Sequence, residues 1–160
     1  MVKPDEAMLK AAREQGGKSA IGTPMALLGD EHVRLYRETN GETGYEWNGA
    51  TCCLLTTTGR KSGLKRTIPI IFTEAKGKIF IIGSQGGHPD HPLWYLNLQA
   101  DPHATLQIKG DVFETIARTA ESPEREELWA EACKKWPNYD VYQTRTTRRI
   151  PVVVFDRVEG

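Results

Sequence analysis

The residues best suited to chemistry cluster at one turn. After Thr56-Thr57-Thr58-Gly59 the chain places Arg60 and Lys61, and after Ser62-Gly63-Leu64 it places Lys65 and Arg66. Four cations thus fall within seven residues, beside three threonine hydroxyls. An anion meeting such a turn is offered guanidinium forks, ammonium point charges and backbone N–H groups together. Basic hairpin tips also serve plain solubility, so charge alone leaves both readings open. A Walker loop is excluded, because only three residues separate Gly59 from Gly63 and Leu64 follows. No G-x-G-x-x-G occurs, so a Rossmann site has no support.

A second group lies downstream. Ser84-Gln85-Gly86-Gly87 follows a strand, and its two glycines permit positive φ and close approach of N–H groups to a ligand. Ser84 either hydrogen-bonds a ligand oxygen or simply ends the strand. Tyr139 and Tyr142 are three apart and share a face if helical; ordinary aromatic packing is the alternative. His88 and His91 form an H-x-x-H pair, but further spaced ligands are lacking and prolines flank His91, so no metal is expected. His32 and His103 read as surface residues. Arg145, Arg148 and Arg149 make a second basic cluster, either a solvated face or an extension of the anion site. No nucleophile elbow with a Ser-His-Asp set is visible. Cys52 and Cys53 are adjacent in a strand, point to opposite faces and read as small packing residues.

The elements that must carry these groups are short. Pro4–Gln15 has a modest helical pattern, and a second short helix is expected within Met25–Arg37. Strands are expected at Thr51–Thr58, Lys65–Glu74, Ile79–Gly83, Thr105–Lys109, Val112–Thr119 and Ile150–Asp156. The unbroken apolar run at Ile79–Gly83 predicts burial on both faces. Helices are expected at Leu93–Gln99, from a Ser122 cap and Pro123 to about Lys135, and from Tyr139 to about Thr146. Six antiparallel strands with peripheral helices give a mainly β (α+β) chain, a closed or partly closed barrel. Residues 1–40 read as a helical or flexible segment and 41–160 as the barrel domain.

Composition bounds the function. The chain has 160 residues, enough for one domain with a real core. Twenty-one Lys and Arg balance twenty-one Asp and Glu, which argues against nucleic acid as a partner and makes any anion site local. No apolar run approaches the roughly 20 residues of a membrane span. Three cysteines are too few for a disulfide framework, so a cytoplasmic protein is expected.

The motifs together resemble the deazaflavin-dependent nitroreductase family, the coenzyme F420-dependent enzymes of actinobacteria. They are Thr56 to Gly63, Arg66-Thr67-Ile68-Pro69, Gly83 to Gly87, His91-Pro92-Leu93-Trp94-Tyr95-Leu96-Asn97-Leu98 with Asp101-Pro102, Tyr139 to Gln143 and Ile150-Pro151-Val152. The resemblance spans about Gly44 to Val158. It implies a split β-barrel related to FMN-binding oxidoreductases, in which reduced deazaflavin delivers hydride to quinones, nitroaromatics or related electrophiles. It places Arg60, Lys61 and Arg66 on the anionic tail, Ile68 and Pro69 against the cofactor, and Thr58, Lys65 and Thr67 among the other cofactor-binding residues. Ser84, Gln85, Gly86 and Gly87 would hold the ring and tail region, and Trp94 and Asn97 would complete the pocket. Ser84, Tyr139 and Tyr142 would face the acceptor, the tyrosines shaping the mouth or donating a proton. Many relatives have Lys where this chain has Gln85, which removes one cation from the tail site. FMN in the same barrel class, and a non-enzymatic deazaflavin-binding protein, are the alternatives. Membrane contact through residues 1–40 is an open alternative if the acceptor is a menaquinone, but that segment is only weakly amphipathic and a soluble protein is expected.

Overall fold

The computed structural model describes residues 29–47 and 49–158 and two short strands, β1 (Ser19–Ala20) and β2 (Thr23–Pro24), which pair with each other. The expected helix at Pro4–Gln15 lies outside the described residues. Helix α1 (Asp30–Glu38) precedes β3 (Glu46–Trp47), β4 (Ala50–Thr58), β5 (Lys65–Ile71), β6 (Thr73–Ala75) and β7 (Lys78–Ile82). Helix α2 (Leu93–Ala100) leads into β8 (His103–Ile108) and β9 (Asp111–Thr119). Helices α3 (Glu124–Lys135) and α4 (Asn138–Thr144) precede β10 (Val152–Arg157).

The strands pair antiparallel in the order β5-β4-β8-β9-β10-β7-β6, with β3 also on β4. The outermost strands, β5 and β6, are consecutive in the chain and separated only by Phe72. One bent segment therefore forms both ends of the sheet, and the sheet closes on itself as a split barrel. The expected strand Lys65–Glu74 is this segment, interrupted where Phe72 enters the core at 4 % exposure.

Alternation along the strands sorts side chains into two cores. On β10, Val153 and Phe155 join the first cluster with Leu55, Ile81, Trp94 and Leu106, while Val152 and Val154 join the second. On β7, Ile81 joins the first and Phe80 and Ile82 the second, as its unbroken apolar run predicts. The second cluster is completed by Leu128 and Ala132 of α3 and Tyr139 and Tyr142 of α4. These two strands are buried on both faces because the barrel lies on one side and two helices on the other. By contrast β9 buries Phe113, Thr115 and Ala117 and exposes Val112, Glu114 and Arg118, so its second face meets solvent.

The ends of α3 follow helix electrostatics, with Glu124, Glu126 and Glu127 in the first turn and Lys134 and Lys135 in the last. Ser122 does not make the expected cap. Helix α3 starts one position later than expected, after Pro123, and the Ser122 hydroxyl donates to the Glu126 carboxylate at 2.9 Å while its oxygen accepts from Arg149 Nη2 at 3.3 Å.

Candidate active site

The β4–β5 connection is a tight turn. Gly59 N donates to Leu64 O at 2.8 Å and Gly63 N to Gly59 O at 2.8 Å, with Gly63 at φ +73°. A side chain at Gly59 would meet the Ser62 hydroxyl at 2.6 Å, so the turn needs glycine at both ends for different reasons. Asn97 of α2 fastens the turn. Its Oδ1 accepts from Arg60 N at 3.1 Å and its Nδ2 donates to Thr57 Oγ1 at 3.2 Å.

Beneath the turn lies a cleft of about 1030 Å³. Arg60, Lys61 and Arg66 line one end. Among the described residues they pair with no carboxylate, so their charge is available to an anion. Ile68 and Pro69 of β5 form one wall, Ser84, Gln85 and Gly86 another, and Trp94 and Asn97 of α2 close that side. The far end is apolar and aromatic, with Cys52, Ile71, Ile82, Trp136, Tyr139 and Tyr142. Both tyrosines are buried, with ring centroids 6.0 Å apart. Trp136 Nε1 donates to Tyr142 Oη at 3.1 Å. Tyr139 makes no side-chain hydrogen bond to another described residue, and burial pushes its phenol well above the usual tyrosine range. Its hydroxyl is therefore protonated across the neutral range and stands as a hydrogen-bond donor in the cleft wall.

Four residues expected about the cofactor do not line the cleft. At the turn end of the hairpin, alternation separates three of them. Arg66 lies opposite Thr57, whereas Lys65 lies opposite Thr58 and Thr67 opposite Thr56. Thr57 is 2 % exposed and lines the cleft; its neighbours in sequence point to the other face. There Lys65 Nζ donates to Thr58 Oγ1 at 3.0 Å, and Thr67 Oγ1 bonds Thr56 Oγ1 at 2.7 Å and Arg37 at 3.2 Å. The fourth is Gly87, which packs against α4: a Cβ there would lie 2.6 Å from Tyr142 O. Its N–H donates to Ser84 O at 2.8 Å and so is already used.

Other residues join the cleft without having stood out. His32, read as a surface residue, is 3 % exposed, bonds Gly44 O at 2.9 Å through Nε2 and lines the cleft. It sits on the buried stripe of α1 with Val33 and Tyr36, and that spacing was the available signal. Cys52 also lines the cleft, and burial pushes its thiol up to about 12. Cys53 faces the barrel core. Among the second basic cluster, Arg149 pairs with Glu126 at 3.3 Å. Arg145 Nη1 and the Arg148 guanidinium donate to backbone carbonyls of the 83–88 segment. None of the three lines the cleft, so they neither form one solvated face nor extend the anion site. No described helix is long and apolar enough to cross a membrane.

Residues 28–157 match the family model of the F420H(2)-dependent quinone reductases. The chain belongs to that family. An F420H(2)-dependent quinone reductase of Mycobacterium tuberculosis is 36 % identical over 130 residues, covering 79 % of this chain and 87 % of that one. Among solved structures, an F420-H2 dependent reductase is 42 % identical with a TM-score of 0.61, over 66 % of this chain and 93 % of the other. A second, described as a domain-swapped dimer, is 37 % identical with a TM-score of 0.64, over 79 % and 95 %. The quinone reductase family is an oxidoreductase family, and its fold agrees with the split barrel closed at Phe72.

Proposed function

We propose that this chain binds reduced coenzyme F420 in the cleft under the β4–β5 turn and reduces quinones there, with nitroaromatics as further acceptors. The observation that carries this reading is the cleft's polarity. Among the described residues, three cations without a carboxylate partner occupy one end, and an apolar aromatic chamber with the Tyr139 hydroxyl free of side-chain bonds occupies the other. A flat ring with an anionic tail fits that donor set: charge-assisted bonds take the tail, and an apolar wall takes the ring. When bound, the cofactor supplies the hydride.

The protein's own part is binding and orientation. Arg60, Lys61 and Arg66 take the phosphate and carboxylates of the tail. Asn97 keeps Arg60 in place through its backbone N–H. Ile68 and Pro69 back the ring, facing Ser84, Gln85 and Gly86 across the cleft. Trp136, Ile71 and Ile82 exclude water from the acceptor end. Tyr139 Oη holds a proton that hydrogen-bonds an acceptor oxygen as negative charge develops on it. The Cys52 thiol on the same wall stays protonated and is a poor nucleophile toward an electrophilic quinone.

The test is titration with oxidised coenzyme F420, followed by its fluorescence, at low and high salt. Arg60→Ala with Lys61→Ala should weaken binding at least about tenfold and flatten the salt response. Turnover with the reduced cofactor should then be found on quinones, and nitro compounds show whether the acceptor range is broader. FMN binding in place of F420 would overturn the cofactor assignment.

A further inference from the structure

The wall formed by Ser84, Gln85 and Gly86 is held from behind by two arginines: Arg145 Nη1 donates to Gly86 O at 3.1 Å, and Arg148 gathers the rest of the loop. Arg148 lies between α4 and β10 and does not line the cleft. Its Nε donates to His88 O at 2.8 Å and its Nη2 to Ser84 O at 2.7 Å. Its Nη1 reaches Gly83 O at 3.1 Å and His91 Nδ1 at 3.0 Å. Four acceptors of one loop are thus gathered by a single planar fork. A lysine has a compact head without that fork and cannot reproduce the pattern.

The bond to His91 carries further information. A guanidinium only donates, so His91 Nδ1 presents its lone pair and the ring is neutral with its proton on Nε2. A proton taken up at Nδ1 removes the bond and puts two cations 3.0 Å apart. Among the described residues, three groups face the ring. Arg148 approaches from the α4–β10 segment. Tyr95 of α2 packs at 4.9 Å between ring centroids. Asp90, beside it in the loop, favours the protonated form. Burial first, and then Arg148, outweigh Asp90 and hold the imidazole below its ordinary range.

We propose that Arg148 is a positioning residue for the cofactor-facing wall, and that its bond to neutral His91 makes cofactor binding weaken as His91 takes up a proton. The inference rests on the reading of the cleft as the coenzyme F420 site. The neutral ring is the form the loop needs. The bond is therefore complete above the ordinary histidine range and is lost as pH falls through and below it.

Two measurements test it on the full chain. First, the Kd for oxidised coenzyme F420 is taken at pH 7.5 and pH 5.5 for the natural protein, His91→Asn and Arg148→Lys. Asn keeps an acceptor for Arg148 but does not titrate, and any ionisation of the cofactor cancels in the comparison between proteins. The natural protein should lose more affinity than His91→Asn over this interval, by less than about tenfold because the ring takes up its proton below the ordinary histidine range. Arg148→Lys should bind about tenfold more weakly at pH 7.5 despite its retained charge. Second, hydrogen exchange, corrected for intrinsic rates, is followed at the Gly87 and His88 amides, which bond Ser84 O and Gln85 O. Their protection should fall in Arg148→Lys, and in the natural protein at low pH, while amides of β10 keep theirs. Equal pH ratios in the natural protein and His91→Asn, or unchanged loop protection in Arg148→Lys, would overturn the proposal. Absence of F420 binding by the natural protein would overturn the cofactor reading, and the exchange experiment would still decide whether Arg148 positions the loop.

Discussion

Asn97 joins two elements with one amide, accepting from the turn's backbone and donating to Thr57. Asn97→Ala removes both bonds and leaves a buried hydroxyl and an N–H without protein partners. A loss of about 1–3 kcal/mol in chemical denaturation is expected, together with weaker F420 binding, because Arg60 loses its anchor. Ser84→Ala tests a different role: its hydroxyl lines the cleft, so an effect on turnover with folding unchanged would assign it to the ligand, and unchanged kinetics would leave it a strand terminator. The cysteines give a third prediction. Burial pushes Cys52 up to about 12 and Cys53 well above the ordinary thiol, and Cys133 rises to about 11. In the native protein at pH 8 none of the three should be alkylated rapidly by iodoacetamide, and all should react after unfolding, as read by mass spectrometry.

At the scale of elements, α4 reaches the cleft only because the 84–87 loop lets it approach. Gly87 has φ +85°, and a Cβ there would also lie 2.9 Å from Arg145 Cβ. Gly87→Ala is expected to cost about 1–3 kcal/mol in urea unfolding and to displace the tyrosines, seen as a changed near-ultraviolet aromatic signal. Helix α3 is tied to the barrel by charge. Glu124 accepts from Arg118 at 2.6 Å and from Lys78, and Arg118 also reaches Asp156 at 2.7 Å. Hydrogen bonds from Arg118 and then Lys78 hold the Glu124 carboxyl down at about 2. Because the folded-state value is depressed, this stabilisation is complete above the ordinary glutamate range and drains away as pH falls toward about 2. Glu124→Gln should flatten the dependence of the urea midpoint on pH between about 5 and 3.

For the whole molecule, closure depends on a single residue position. Phe72 is where β5, paired with β4, becomes β6, paired with β7. Its ring enters the first core cluster and meets Tyr45 edge-on at 6.1 Å between centroids. Phe72→Ala both opens a cavity and loosens the point where the sheet's two ends are one chain. A loss of about 3–5 kcal/mol is expected, measured as the denaturant midpoint multiplied by the unfolding slope.

Much of this was written locally in the chain. Alternation and turn residues locate the strands to within a residue or two, because period-2 burial and glycine-bearing turns are short-range properties. Three of the four turn cations, the Ser84 loop and the Tyr139–Tyr142 pair were equally legible, since each lies in a cluster within a few residues. What depended on pairing at a distance was not. Lys65–Glu74 reads as one strand; only the pairing of its halves with opposite ends of the sheet shows that it closes a barrel. Thr57 rather than Thr58 faces the cleft because register against Arg66 sets the parity, and a one-residue slip would exchange them. His32 is buried because α1 lies on β4, and Arg148 became a strut because residues some 60 positions earlier fold against it. Charge and periodicity are carried by neighbours in sequence, but burial and partnership are properties of surfaces that meet only when the chain has folded.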